Sequence, residues 1–431
     1  MSDQINGASK RNIMIVNGWS DMNRGDSAIL LGMIHLIRKV FPDHSICVMS
    51  EFGTNDPNFA SSYWVIKLYH SEVEILPALF PYPRGSNKLQ KMIDAILIFV
   101  VACLTLIFPM VGCYFFWGTN ADTWKRVVES DALLSKGGHV FYLTQRSFRS
   151  LYGFFKHAFP LLLGARLGKK TALYAQSVGP FRGRISQFLA RLFFNRLNII
   201  SVREEISLNV LQNLGVVRPI YFVPDAAFVL SKDRKDLISE ESTVIVTPRQ
   251  WGFHDNTLFQ NYIKALSVSV EWLSSQGYKV LLVNHTIGPT PSEEDSVAVR
   301  SLYEAIKLKE NVEVIDTHGL TPYDLISLYT SARLLIGTRF HSVIFALLSG
   351  TPVVAISYFG PKTFGIMKSL GLEQFALDIG KANAEELKST IQYVLEHEDQ
   401  IRKEISVRVE RLRKEAIRAG TAFLELLLKE K

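Results

Sequence analysis

Along this chain, short apolar runs alternate with longer stretches in which apolar residues recur at helical spacing. Asn12–Asn17 (NIMIVN) predicts a buried strand, and Asp26–Val40 predicts a helix with Ile29, Met33, Leu36, Ile37 and Val40 on one face. Ser45–Met49 predicts the next strand, so the chain reads β-α-β within its first fifty residues. Asp131–Ser135, Thr171–Gln176, Asn198–Val202 and Ile220–Val223 predict further strands, with helices at Phe148–Leu167, up to Arg196, and at Glu205–Leu214. A second series follows. Thr243–Thr247, Lys279–Val283, Asn311–Ile315, Leu334–Ile336 and Val353–Ile356 read as strands, separated by helices at Leu258–Gln276, Val297–Lys307 and Tyr323–Ser331. Repeated strand–helix units predict parallel sheets covered by helices on both faces.

The pattern therefore predicts an α/β protein of two doubly wound, Rossmann-like domains facing each other across a cleft, closed by a C-terminal helix. The first would cover residues 1–232, the second 243–380, and a helical segment 381–431. The charged, aperiodic stretch Ser231–Ser242 is the expected linker.

One run breaks the alternation. Ala95–Trp117 is apolar and uncharged, within an insert near residues 92–117, and is long enough to cross a bilayer at about 20 residues per span. Basic residues flank it on both sides (Arg84, Lys88 and Lys91; Lys125 and Arg126), and aromatics crowd its end. A spanning helix, an interfacial element and a buried helix pair all fit this run. A single crossing would separate the first strand–helix unit from the rest of its sheet, so peripheral or monotopic membrane contact is the expectation.

Composition changes this picture little. The chain has 431 residues, 48% of them hydrophobic and 21% charged, as expected of globular domains. A net charge of +7 suits an anionic substrate or an anionic membrane surface. Basic and aromatic residues are not interleaved, which argues against nucleic acid. Three cysteines at unrelated spacings give neither a disulfide framework nor a metal knuckle. Met1–Arg11 is polar and runs straight into a strand, so a secretory leader is not expected and a cytoplasmic location is.

Candidate chemistry collects at the predicted strand ends. Arg182, Arg203, Arg249, Arg339 and Lys362 stand there, with His285 and His341. Arginine forks suit carboxylate and phosphate, so the set fits a small, multiply anionic ligand. His341, two residues from Arg339 at a strand-to-helix handover, leads as general acid or base. Gly25 permits close backbone approach to a ligand, and Asp26 or Ser27 is a candidate N-cap. His285 reads equally as a satisfied loop histidine. The glycine pair of Gly137-Gly138-His139, after a strand, suggests backbone close to a ligand or to another strand, and Glu293-Glu294-Asp295 reads as a solvated acidic cluster at a helix start. No metal motif, Walker loop or nucleophile elbow is present.

Several of these stretches resemble the polysaccharide pyruvyl transferase family: NRGDSAIL, LLSKGG, QSVGP, SVREEISLNVLQNLGV, VPDAAF and GTRFHSVIFALLSGTPVVAISYFGPK. They run in order from Asn23 to Leu372. Two departures from the family pattern stand out, Gly-Gly-His139 in place of three glycines and Arg203-Glu204 in place of Arg-Asp. The resemblance implies a GT-B-like fold and transfer of the pyruvyl unit of phosphoenolpyruvate onto a sugar of a cell-surface polysaccharide, as a ketal, with phosphate released. It implies no metal and no nicotinamide, only phosphoenolpyruvate as co-substrate. His341, Arg339 and Asp26 would be catalytic. Arg203, Lys362, Arg182 and Arg249 would hold the donor, and Asn23, Gly25 and His285 would contact the acceptor. That acceptor would be a saccharide, free or lipid-linked, met at the inner face of the cell membrane. The competing readings are a GT-B-type glycosyltransferase with a nucleotide-sugar donor and a non-catalytic saccharide-binding or scaffold protein.

Overall fold

The structure, a computed structural model, describes residues 11–80, 87–116, 118–144, 147–231, 242–250, 256–358, 362–381 and 383–428. Arg84, Trp117, the turn 359–361 and nearly all of the expected linker lie outside them.

Among the described residues, fourteen strands form two sheets. In the first, β1 (Asn12–Gly18), β2 (Ser45–Ser50), β3 (Glu74–Leu76), β4 (Ala132–Ser135), β5 (Gly138–Leu143), β6 (Lys170–Phe181), β7 (Ile199–Val202) and β8 (Ile220–Phe222) take the order β3-β2-β1-β4-β6-β7-β8, with β5 paired to β6. In the second, β9 (Thr243–Thr247), β10 (Lys279–Val283), β11 (Val312–Ile315), β12 (Leu334–Gly337), β13 (Val353–Ser357) and β14 (Ala376–Asp378) take the order β11-β10-β9-β12-β13-β14. The strand pairs of both sheets are parallel. Each sheet starts in its middle, winds outward one way, then returns and winds the other way, the order of a dinucleotide-binding fold. The central strands are continuous apolar runs because helices cover both faces: Ile13–Val16, Val244–Val246 and Val280–Val283 are wholly buried.

The compact units do not follow the chain as the sequence suggested. One comprises residues 1–19, 33–223 and 418–431, and the other 20–32 and 224–417. The loop and first helical turns after β1 thus belong with the second sheet, and hydrogen bonds explain why. Asn23 bridges to Thr286, Ile287 donates its N–H to the Met22 carbonyl at 3.0 Å, and Arg24 donates to the Thr317 carbonyl at 2.8 Å. Gly32 lies so close to Ala226 that an added Cβ would stand 2.1 Å from its carbonyl oxygen. The C-terminal helix Glu398–Leu428 forms no unit of its own. Its end returns to the first unit, where Phe423 packs on Tyr174 and Tyr221.

The first unit contains strands that the sequence pattern did not announce. Gly138 and His139 open β5, where Gly138 lies against Gln176 of β6, and the His139 ring meets the Gly179 carbonyl at 2.5 Å. The core beside β5 is aromatic, with Phe141 stacked on Phe193 and edge-on to Phe154 and Phe194. The apolar insert is one helix, Lys88–Ile107, followed by the short turns Pro109–Val111 and Gly112–Phe115.

Candidate active site

The second sheet reverses its winding between β9 and β12, and open α/β sheets bind ligands outside the carboxyl ends of the strands at such a switch point. The chain leaves β9 through Pro248-Arg249, β12 through Thr338-Arg339 and the adjacent β10 through Asn284-His285. Hydroxyl pairs fasten the two central exits. Thr247 and Ser342 meet at 2.8 Å, as do Tyr262 and Thr338, and Tyr262 also accepts the Arg249 backbone N–H at 3.2 Å. Burial, above all, pushes the Tyr262 phenol up to about 12, so it acts here as a neutral hydroxyl.

Arg339 is the N-cap residue of the helix Phe340–Ser349, and its side chain turns inward. Its Nε donates to both Asp295 oxygens at 2.9 and 3.0 Å. Its Nη2 donates to Asp295 Oδ1 and to the Glu293 carbonyl, both at 2.7 Å. Asp295 is fully buried and also accepts the Thr286 N–H at 2.9 Å. The cluster 293–295 is therefore not solvated, as its charge suggested. A carboxylate can be buried here because a guanidinium forks onto it. Burial raises the Asp295 carboxyl while Arg339 pulls it the other way. A guanidinium does not release its proton, and its two-pronged contact favours the ionised carboxylate. Burial likewise opposes the Arg339 charge, yet Asp295 outweighs it and holds that cation above its ordinary value. The Nε–Nη2 edge of Arg339 thus orders the loop 293–295.

His341 is the second residue of the same helix and is partly buried. Its ring packs edge-on against Phe340, and Nε2 stands 3.7 Å from Asp225 Oδ2, an ionic partner whenever the ring carries a proton. Asp225 is buried, and its Oδ1 accepts the Ala227 N–H at 2.9 Å, which fixes the carboxylate. The other wall is Gly25. A Cβ there would lie 2.1 Å from His341 Nδ1, so only glycine lets the helix start meet the imidazole.

Arg24 holds that helix start in place. It is almost wholly buried and donates to the carbonyls of Asp21 (2.9 Å), Met22 (3.1 Å) and Thr317 (2.8 Å). Burial lowers it to about 10, still cationic at neutral pH. Asn23 donates to Glu293 Oε1 at 3.2 Å. The loops carrying Gly25 and Arg339 thus meet through Asn23 and Glu293. His285 is buried, its Nδ1 facing the Tyr329 hydroxyl at 3.0 Å and its Nε2 without a hydrogen-bond partner among the described residues. Burial, then the charges of His341, Arg339 and Arg24, hold its pKa well below the ordinary value, so it is a neutral neighbour of His341.

The second unit therefore brings together Asn23, Gly25, His285, Arg339 and His341. Arg249 stacks its guanidinium 3.8 Å above the Tyr358 ring. Lys362, partly buried, begins the helix Lys362–Ser369. Asp26 also lies in this unit, whereas the sequence placed it on the first domain, and the carboxylate recorded beside His341 is that of Asp225. Arg182 and Arg203 belong to the first unit. Arg182 is exposed, and buried Arg203 donates to Ser177 Oγ at 2.8 Å with Glu204 at 3.5 Å. Sequence reasoning missed Asp225, Asp295 and Arg24. The only signals for Asp225 and Arg24 were their places in VPDAAF and NRGDSAIL.

Paired Rossmann-like sheets of this kind recur among solved structures. The chain is similar to Anabaena Alr3699/HepE in complex with UDP and glucose (TM-score 0.58, 13% identity, 97% of this chain and 99% of that one). It is also similar to Medicago truncatula UGT71G1 complexed with UDP-glucose (TM-score 0.56, 11% identity, 97% and 98%). At such identities the likeness is one of fold, which is GT-B-like. The sequence goes further: residues 23–360 match the Polysaccharide pyruvyl transferase family model, and the chain belongs to that family. It is 26% identical over 425 residues to the amylovoran biosynthesis protein AmsJ of Erwinia amylovora, covering 93% of this chain and 96% of that protein. The chain is thus a transferase of polysaccharide biosynthesis.

Proposed function

We propose that this transferase moves the pyruvyl unit of phosphoenolpyruvate onto two hydroxyls of one sugar in a lipid-linked polysaccharide precursor, at the inner face of the cell membrane. The observation that carries the reading is His341, held between Gly25 and the Asp225 carboxylate at the winding switch of the second sheet, with arginines at the same strand ends. In this reading His341 gives a proton to the methylene carbon of phosphoenolpyruvate, leaving an oxocarbenium-like centre at C2. One sugar hydroxyl adds there and loses its proton. The C2–O bond to phosphate then breaks, and a second hydroxyl closes the ketal as its proton leaves. The deprotonated imidazole is placed to take up one of these protons. Asp225 stabilises the imidazolium, and Asp26 orients the acceptor. Arg249 and Lys362 meet the phosphate and carboxylate. Their charge offsets that of the departing phosphate. Arg339 serves chiefly by ordering the loop 293–295.

The test is direct. Purified protein should be stabilised against heat by phosphoenolpyruvate, and acceptor glycans incubated with both should gain a carboxyethylidene group seen by NMR. Stabilisation by a UDP-sugar instead, with a glycosyl group gained, would overturn the reading in favour of a glycosyltransferase.

A further inference from the structure

The helix Lys88–Ile107 buries only one stripe of its surface. Ala95, Ala102 and Thr105 face inward, Phe99 rests on Phe155, and Arg166 donates to the carbonyls of Leu106 (3.2 Å) and Ile107 (3.4 Å). These contacts lay it lengthwise on the helix Phe148–Arg166. The opposite stripe is Leu89, Ile93, Ile96, Val100, Leu104 and Ile107, all exposed. Their spacing of three and four residues makes one apolar ridge about 30 Å long. Met110 and Tyr114 extend it, exposed by 84% and 81%. At the ridge's N-terminal end opens a cavity of about 910 Å³ lined by Lys88, Lys91 and Arg149 beside Met92, Tyr142 and Tyr152. No acidic side chain is among the described residues lining it.

We propose that ridge and cavity form a bilayer-docking surface. The helix lies in the plane of an anionic phospholipid membrane, its ridge among the acyl chains, and the cavity takes a headgroup phosphate. A spanning helix would need lipid on every side, and this one is committed along its length to its own chain. Protein interfaces of this length carry polar groups within and around them. Here the helix has no charged residue after Asp94, and three cations sit at one end. A lipid layer has the same polarity, an anionic surface over hydrocarbon. This inference stands on the first unit alone and does not depend on pyruvyl transfer.

The test is sedimentation of the full chain with vesicles of phosphatidylcholine, alone or mixed with phosphatidylglycerol. The intact protein should bind both and prefer the anionic vesicles. Lys88→Ala, Lys91→Ala and Arg149→Ala together should weaken anionic binding about a hundredfold and leave neutral binding unchanged. Ile93→Glu with Val100→Glu should abolish both while the thermal melt is kept. A triple variant that keeps the anionic preference overturns the headgroup site. An intact protein that ignores both vesicles overturns the docking surface, and dimers dispersed by the Glu pair would then assign the ridge to a second copy.

Discussion

Replacing Gly25 by alanine isolates the geometry around His341. In a helix this exchange ordinarily stabilises by about 0.5–1 kcal/mol. Here the new methyl would stand 2.1, 2.3 and 2.7 Å from Nδ1, Cγ and Cβ of His341, closer than carbon atoms approach. One side must give way. The Gly25 backbone is anchored by the three carbonyl bonds of Arg24, whereas the imidazole can turn about its side-chain torsions, so the ring moves. Overpacking costs about 1–3 kcal/mol, and the propensity gain offsets part of it, for a net loss of about 1–2 kcal/mol. The catalytic loss is larger. In the proposed mechanism a displaced general acid forfeits much of the roughly 10²–10⁴-fold that such a group contributes. Phosphate release from phosphoenolpyruvate should therefore fall at least about a hundredfold in kcat, while the urea midpoint shifts only modestly. Combined with His341→Ala, the Gly25→Ala change should cost no further activity, because the two act through one ring. A Gly25→Ala protein with the kcat of the parent would refute the reasoning.

Asp295→Asn removes the carboxylate under Arg339 and leaves a buried guanidinium without its counter-charge, so urea denaturation should show a loss of about 3–5 kcal/mol. A loss below about 1 kcal/mol would mean that the pair does not order this loop. His285 gives a pH signature. Its folded pKa is depressed, while the unfolded chain titrates near the ordinary value of about 6.5. The unfolded state therefore binds the extra proton. The contribution of His285 is complete above about pH 6.5 and is lost as pH falls toward the folded pKa, at up to about 1.4 kcal/mol per unit. His285→Gln should flatten the fall in stability between about pH 7 and pH 5.5, and an unchanged slope would show that His285 does not carry it.

The apolar runs of both sheets were legible because buried parallel strands are continuous in sequence, and Thr243–Thr247 and Lys279–Val283 match residue for residue. The strand-end residues Arg249, His285, Arg339 and His341 were legible for the same reason. Burial of an acid was not. Nothing in Glu293-Glu294-Asp295 tells which carboxylate will meet a guanidinium 44 residues later in the chain. Nor could spacing show that residues 20–32 leave the unit of the strand before them, since that depends on long-range bonds to Thr286 and Thr317. The strand Gly138–Leu143 was hidden because the glycine and histidine at its start lack the apolar run of a buried strand.

Proton delivery from His341 to phosphoenolpyruvate is the central proposed step, and the most direct measurement of it is phosphate release by His341→Ala beside the parent protein, at saturating phosphoenolpyruvate and acceptor. The expected result is a loss in kcat of about 10²–10⁴-fold, with phosphoenolpyruvate still stabilising the variant against heat. Full activity in His341→Ala would contradict it.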